Sequence, residues 1–101
     1  MTTLDDFLDS LQQAKPEASL SPLLQALWHE ARGDWDGAHQ IVQKENSADA
    51  AWVHAYLHRK EGDLANAGYW YRRAKRKESG DELENEWRSI VSELLAQGDT
   101  S

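Results

Sequence analysis

The sequence predicts an all-α fold of about six helices, and three observations carry that expectation. Apolar residues recur at helical spacing, as in Leu23, Leu24, Leu27, Trp28 and Ala31, and no stretch shows sustained strand alternation. The phrase His29-Glu30-Ala31-Arg32-Gly33-Asp34 returns 29 residues later as His58-Arg59-Lys60-Glu61-Gly62-Asp63. The echo continues, with Ala38 falling on Ala67 and Val42 on Tyr71. A period of this size marks stacked helical hairpins, which bury a face together that neither buries alone.

Each element has a local reason. Thr3-x-x-Asp6 resembles a capping box, and Leu4, Phe7, Leu8 and Leu11 then mark a first helix over about residues 4–14. Pro16 and Ser19–Pro22 form a connector, and Pro22 suits the first turn of a second helix, where a missing N–H costs nothing. Gly33 stops that helix by taking the left-handed conformation, and Asp34 starts the next by accepting from its free N–H groups. A third helix follows to about Lys44, a turn at Asn46-Ser47, and a fourth over about 48–61. Trp52, Val53, Ala55, Tyr56 and Leu57 spread around that fourth helix, which places it at the centre of the packing. Gly62-Asp63 repeats the stop and start. A fifth helix runs to about Lys77, and Asp81-x-x-Glu84 opens a sixth with Leu83, Trp87, Ile90, Val91 and Leu94 in line. The last residues, Gly98–Ser101, are expected to fray.

One domain over 1–101 follows, with hairpins at about 22–45 and 48–77. Flanking helices at about 4–14 and 82–97 are expected to cap the two open ends. There is no Cys, hence no disulfide and no thiolate metal site. No apolar run reaches the length of a membrane span, and the acidic, polar start is unlike a secretory signal, so a cytoplasmic setting is expected. The net charge of −7 is uneven: −6 over residues 1–50, +5 over 51–77 and −6 over 78–101. An acidic whole argues against nucleic acid as ligand. The basic middle suits an acidic partner or the chain's own acidic ends.

The residues Trp52, Gly62, Ala67, Tyr71 and Ala74 resemble a tetratricopeptide-type repeat, and Leu23, Gly33, Ala38 and Val42 resemble a more diverged copy. The period of 29 is shorter than that family's ~34, and His29 and His58 stand where the family commonly has an aromatic residue. The run from Trp52 to Ala74 also resembles a group of small bacterial proteins of unknown function. The resemblance implies a right-handed array of antiparallel helices and a protein-interaction module that docks a protein or peptide. It further implies that the first helix of a hairpin lines a concave surface.

Several residues are candidates for a site. Trp52, Tyr56 and Arg59 share one face of the fourth helix and would put two aromatics and a guanidinium in a groove, a suitable anchor for an acidic or aromatic segment. The alternative is that the sixth helix or a second copy of the chain covers them. Trp70 and Arg73 belong to Tyr69-Trp-Tyr-Arg-Arg-Ala-Lys-Arg-Lys77, where aromatics interleave with five basic residues. Such a run can stack single-stranded nucleic acid, or be solvated near a helix C-terminus. Asn66 is placed either to bond turn backbone or to reach a ligand.

His29 and His58 are expected to be parts of two turns, His29-Gly33-Asp34 and His58-Gly62-Asp63, with a His–Asp clasp across each corner. A His–Asp dyad acting as general base is the sharper alternative, but no nucleophile or oxyanion donor accompanies it. His54 and His58 lie four apart on one helical face, a spacing that can chelate zinc or nickel, with Asp63 or Glu61 as a third ligand. Without Cys or an HExxH pattern the pair reads first as core or interface, so no catalytic residue, metal or cofactor is assigned. The favoured reading is a binding module; a small metal protein or enzyme built on His54, His58 and Asp63 is the alternative, and a Trp-faced homodimer a third.

Overall fold

A computed structural model of the chain describes residues 3–97. It contains six helices: α1 (Leu4–Ser10), α2 (Pro22–Ala31), α3 (Trp35–Val42), α4 (Ala48–Glu61), α5 (Leu64–Arg73) and α6 (Leu83–Ala96). No strand occurs among the described residues. Residues 98–101, including the end expected to fray, lie outside them.

Short polar side chains start most of the helices. Thr3 Oγ1 accepts from Asp6 N at 3.1 Å while Thr3 N donates back to the Asp6 carboxylate at 3.2 Å, a complete capping box. Ser21, Asp34, Ser47 and Asp63 cap α2 to α5, each such cap contributing about 1 kcal/mol. The start of α6 differs from the expectation. Its N-cap is Glu82, with no side-chain cap, and the Asp81 backbone carbonyl instead accepts from Arg59.

Two of the helix stops are alike. Gly33 and Gly62 have φ of +89° and +92°. After each, the Asp N–H donates to a His carbonyl six residues back inclusive, Asp34 to His29 and Asp63 to His58, both at 2.9 Å. A third stop has the same wiring without glycine: Lys75 sits at φ +59°, and Arg76 N donates to Tyr71 O at 3.0 Å. This ends α5 at Arg73, short of Lys77. Helix α1 also ends early. Trp28 Nε1 donates to Ser10 O, and Arg32 donates to Leu11 O and Gln13 O, so side chains of and just past α2 take carbonyls that a longer α1 would have used.

The core forms around α4, where every residue from Ala50 to His58 is buried. A helix buried all round has neighbours on all sides. Here α5, α3, α2 and α6 all pack on it. The flanking helices do not sit at opposite ends of the array. Instead α6 packs against α1, α2 and α4 together. Phe7 meets Trp87 with ring centres 5.8 Å apart, and Trp87 Nε1 donates to Leu27 O at 3.2 Å. The stripe on α6 is amphipathic, so burying Trp87, Ile90, Val91 and Leu94 requires this broad seat rather than a helix end.

A buried carboxylate ties α6 down. Glu86, 3% exposed, accepts from Tyr71 Oη at 2.5 Å, Trp52 Nε1 at 3.3 Å and Arg59 at 2.8 Å. A charged pair this deep is tolerable only when the remaining lone pairs are also bonded, as these are. Lys60 likewise pairs with buried Glu30. Among the described residues no buried side-chain nitrogen or oxygen lacks a partner.

Candidate functional site

The face of α4 carrying Trp52, Tyr56 and Arg59 is occupied by α6. Trp52 and Tyr56 are buried, Arg59 is bound to Glu86 and the Asp81 carbonyl, and Arg76 lies 3.5 Å above the Trp52 ring while pairing with Glu93. The sixth helix thus covers Trp52 and Arg59, while the buried Tyr56 lines a cavity of ≈ 420 Å³ with Glu30, Lys60, Leu83 and Trp87. Part of the basic run thus serves α6, and Arg76 is not free to track a phosphate backbone.

The opposite side of α4 is different. His54 and His58, one turn apart, point toward α3 and α5. There they meet His39, a residue the sequence did not single out. His39 and His54 approach Nε2 to Nε2 at 3.0 Å. Ring centres of His39 and His58 are 5.3 Å apart, and those of His54 and His58 are 4.9 Å apart and nearly parallel. One ring nitrogen from each of the three lies within 4.8 Å of the others.

Two tryptophans bracket the three imidazoles. Trp35, at the start of α3, donates from Nε1 to Leu57 O at 2.7 Å, which locks α3 to α4. One turn on, the His39 ring stacks on Trp35 at 4.9 Å. On the α5 side Trp70 stacks on His54 at 3.8 Å and 11°. The spacing Trp35-x-x-x-His39 puts two rings on one helical face and is the local signal for His39. Its meeting with His54 is a contact between helices and has no sequence signature.

Polar partners fix the His58 ring. Its Nδ1 lies 2.6 Å from Glu61 Oε2. A carboxylate accepts, so Nδ1 carries the proton. Asn66 Nδ2 stands 3.4 Å from His58 Nε2. The Asp63 carboxylate caps α5 by accepting from Asn66 N at 3.2 Å, although it also lies within 4.8 Å of His58 and Glu61 ligand atoms. The clasp expected between His58 and Asp63 therefore runs to Glu61 instead. In the first turn His29 and Asp34 are 4.0 Å apart, beyond hydrogen-bond distance.

Two of the imidazoles, His54 and His39, favour the uncharged form. Burial, then the rings of His39 and His58, push His54 down to about 4. His39 is lowered too, by burial first and then by His58, against the pull of Glu61 and Asp36. Uncharged imidazole offers a lone pair to a proton or a metal, and its N–H to an acceptor.

Beside His54 the surface opens into a cleft of ≈ 350 Å³ between α5 and the α3–α4 connector. His54, Trp70, Arg73, Glu45, Asn46 and Ser47 are among the residues that line it. Arg73 lies over both Trp70 and Tyr69, at 5.2 and 5.8 Å, and donates to Tyr69 Oη at 3.0 Å. Tyr69 is 44% exposed. Of the binding residues expected from sequence, the fold brings His54, Trp70 and Arg73 to this cleft and Asn66 to the histidines behind it. Trp52, Tyr56 and Arg59 lie on the other face.

No family model matches the chain, and neither does any curated protein or solved structure.

Proposed function

We propose that the protein is a small cytoplasmic binding module of the tetratricopeptide-like class, which docks an acidic or aromatic segment of a partner protein. The docking site is the cleft at Trp70, Arg73 and His54. The observation that carries this reading is an open cleft with an aromatic and guanidinium wall. Trp, Tyr and Arg are the residue types that most often anchor interfaces. The Arg73 guanidinium lies over aromatic rings, and the N–H groups that Tyr69 Oη does not take can reach a carboxylate. The 29-residue recurrence supports the repeat class. Because Trp52 and Arg59 are bound to α6, the proposed site is put on the α5 side.

The test is an NMR titration of the chelator-treated chain with an acidic, Trp-containing peptide. Shifts confined to Asn46–Ala51, Trp70 and Arg73, and lost in Arg73→Glu, are expected. Shifts centred on α6, or equal binding by Arg73→Glu, would remove this site.

A further inference from the structure

We propose that His39, His54 and His58 form a binding site for a divalent transition-metal ion of the zinc class. Three features combine. The ligand atoms come from helices locked together by the Trp35–Leu57 hydrogen bond, so the site is largely formed before any ion arrives. The donors are all imidazoles, which suit zinc, copper, nickel and iron rather than magnesium or calcium. The third ring is already oriented by a carboxylate, as metal-bound imidazoles commonly are: Glu61 holds His58 Nδ1–H, leaving Nε2 as the ligating atom.

The distances fit with small adjustments. Zinc–nitrogen bonds of 2.0–2.1 Å in a tetrahedron require nitrogens about 3.3 Å apart. The His39 and His54 nitrogens are 3.0 Å apart, and the whole set lies within 4.8 Å. The larger gaps, up to 4.8 Å, have to close toward about 3.3 Å by side-chain rotation as the ion binds. Without an ion, the His39–His54 contact is a hydrogen bond, so one Nε2 carries a proton and the other accepts. Ligation needs a lone pair on both, so the proton on that Nε2 transfers to Nδ1 of its own ring by tautomer exchange.

Three protein ligands leave a fourth position of a tetrahedral ion unfilled. Asn66 Nδ2 donates to His58 Nε2 without an ion; ligation takes that lone pair and releases the amide to hydrogen-bond to a water or an anion in the fourth position. Because His54 also lines the cleft, the ion would lie at the inner edge of the docking surface.

The test is calorimetric titration of the chelator-treated full chain with ZnCl2 at pH 7.5, followed by the visible spectrum with Co²⁺. One ion per chain and a Co²⁺ spectrum of tetrahedral type are expected. His39→Ala should weaken binding by more than about 100-fold, and Glu61→Gln by about 10- to 100-fold, the range found for such supporting carboxylates. His29→Ala, with the histidine outside the cluster, should bind like the parent. Absence of zinc binding by the parent overturns the proposal. So does binding that survives His39→Ala in a variant whose circular dichroism shows the parent fold. His39 is only partly buried, so that variant decides the matter even where His54→Gln fails to fold.

Discussion

The two His-x-x-x-Gly-Asp turns have one backbone and two different neighbourhoods. In both, a glycine at positive φ ends a helix and the next residue's N–H returns to a histidine carbonyl at 2.9 Å. The side chains then diverge. His29 is half-exposed, edge-on to Trp28 and 4.0 Å from Asp34. His58 is buried, bonded to Glu61 and set among other rings. Stepping by 29 residues pairs Gln25 with His54, Arg32 with Glu61, Gly37 with Asn66, Ile41 with Trp70 and Lys44 with Arg73. Apart from His58, which recurs as His29, the second-copy residues of the candidate site stand where that copy departs from the first. What recurs makes the turn, and the unlike neighbours of the recurring histidine make the chemistry.

That contrast can be broken by experiment. The largest difference is expected from the histidines themselves. His58→Ala should cost about 2–3 kcal/mol, because it empties a buried, bonded position, whereas His29→Ala should cost within about 0.5 kcal/mol. Equal losses in urea melts would end the distinction. The glycines should behave alike instead. Gly33→Ala and Gly62→Ala should each cost about 1–2 kcal/mol, since an added Cβ meets no atom within 4 Å at either place and the penalty is the left-handed backbone alone. A large inequality between them would show that the two turns are not one device.

Acid should weaken the second copy selectively. His54 is held down to about 4 in the fold, against an unfolded value of ~6.5. Below 6.5 the unfolded chain takes up a proton that the folded chain refuses, so this contribution is complete above 6.5 and is lost as pH falls toward 4. A Tm drop of several degrees over that window is expected, about what 1 kcal/mol produces in a domain of this size. His54→Gln, which installs the first copy's residue, should flatten that part of the profile; an unchanged slope would place the titration elsewhere. The smallest effect concerns the glycine-free stop. Lys75→Gly should gain about 0.5–1 kcal/mol by relieving positive φ, and a loss would mean that the Lys75 side chain holds α5 in some other way.

Local chemistry made much of the architecture readable. Helical periodicity, Ser and Asp caps and the two Gly-Asp phrases set out six helices in order, because those signals lie within a few residues of what they control. The ends of α1 and α5 were not readable in the same way. One is set by side chains from around α2 taking its carbonyls, the other by a lysine in a conformation that usually advertises itself through glycine. The site was legible in part: His54, Asn66, Trp70 and Arg73 stand out as chemistry-bearing residues on the second hairpin, but nothing local separates them from the equally aromatic Trp52 and Tyr56.

The all-α class, the order of the helices and the doubled turn follow from backbone preferences and short-range periodicity, which are written in the chain locally. Which residues of α4 are covered by α6 depends on packing between distant segments. A single buried carboxylate, Glu86, draws α6 over Trp52 and Arg59, while Trp35 brings His39 to the other side. Both are pairings between residues far apart in the chain, settled by which combination buries the most apolar surface while leaving every polar group bonded.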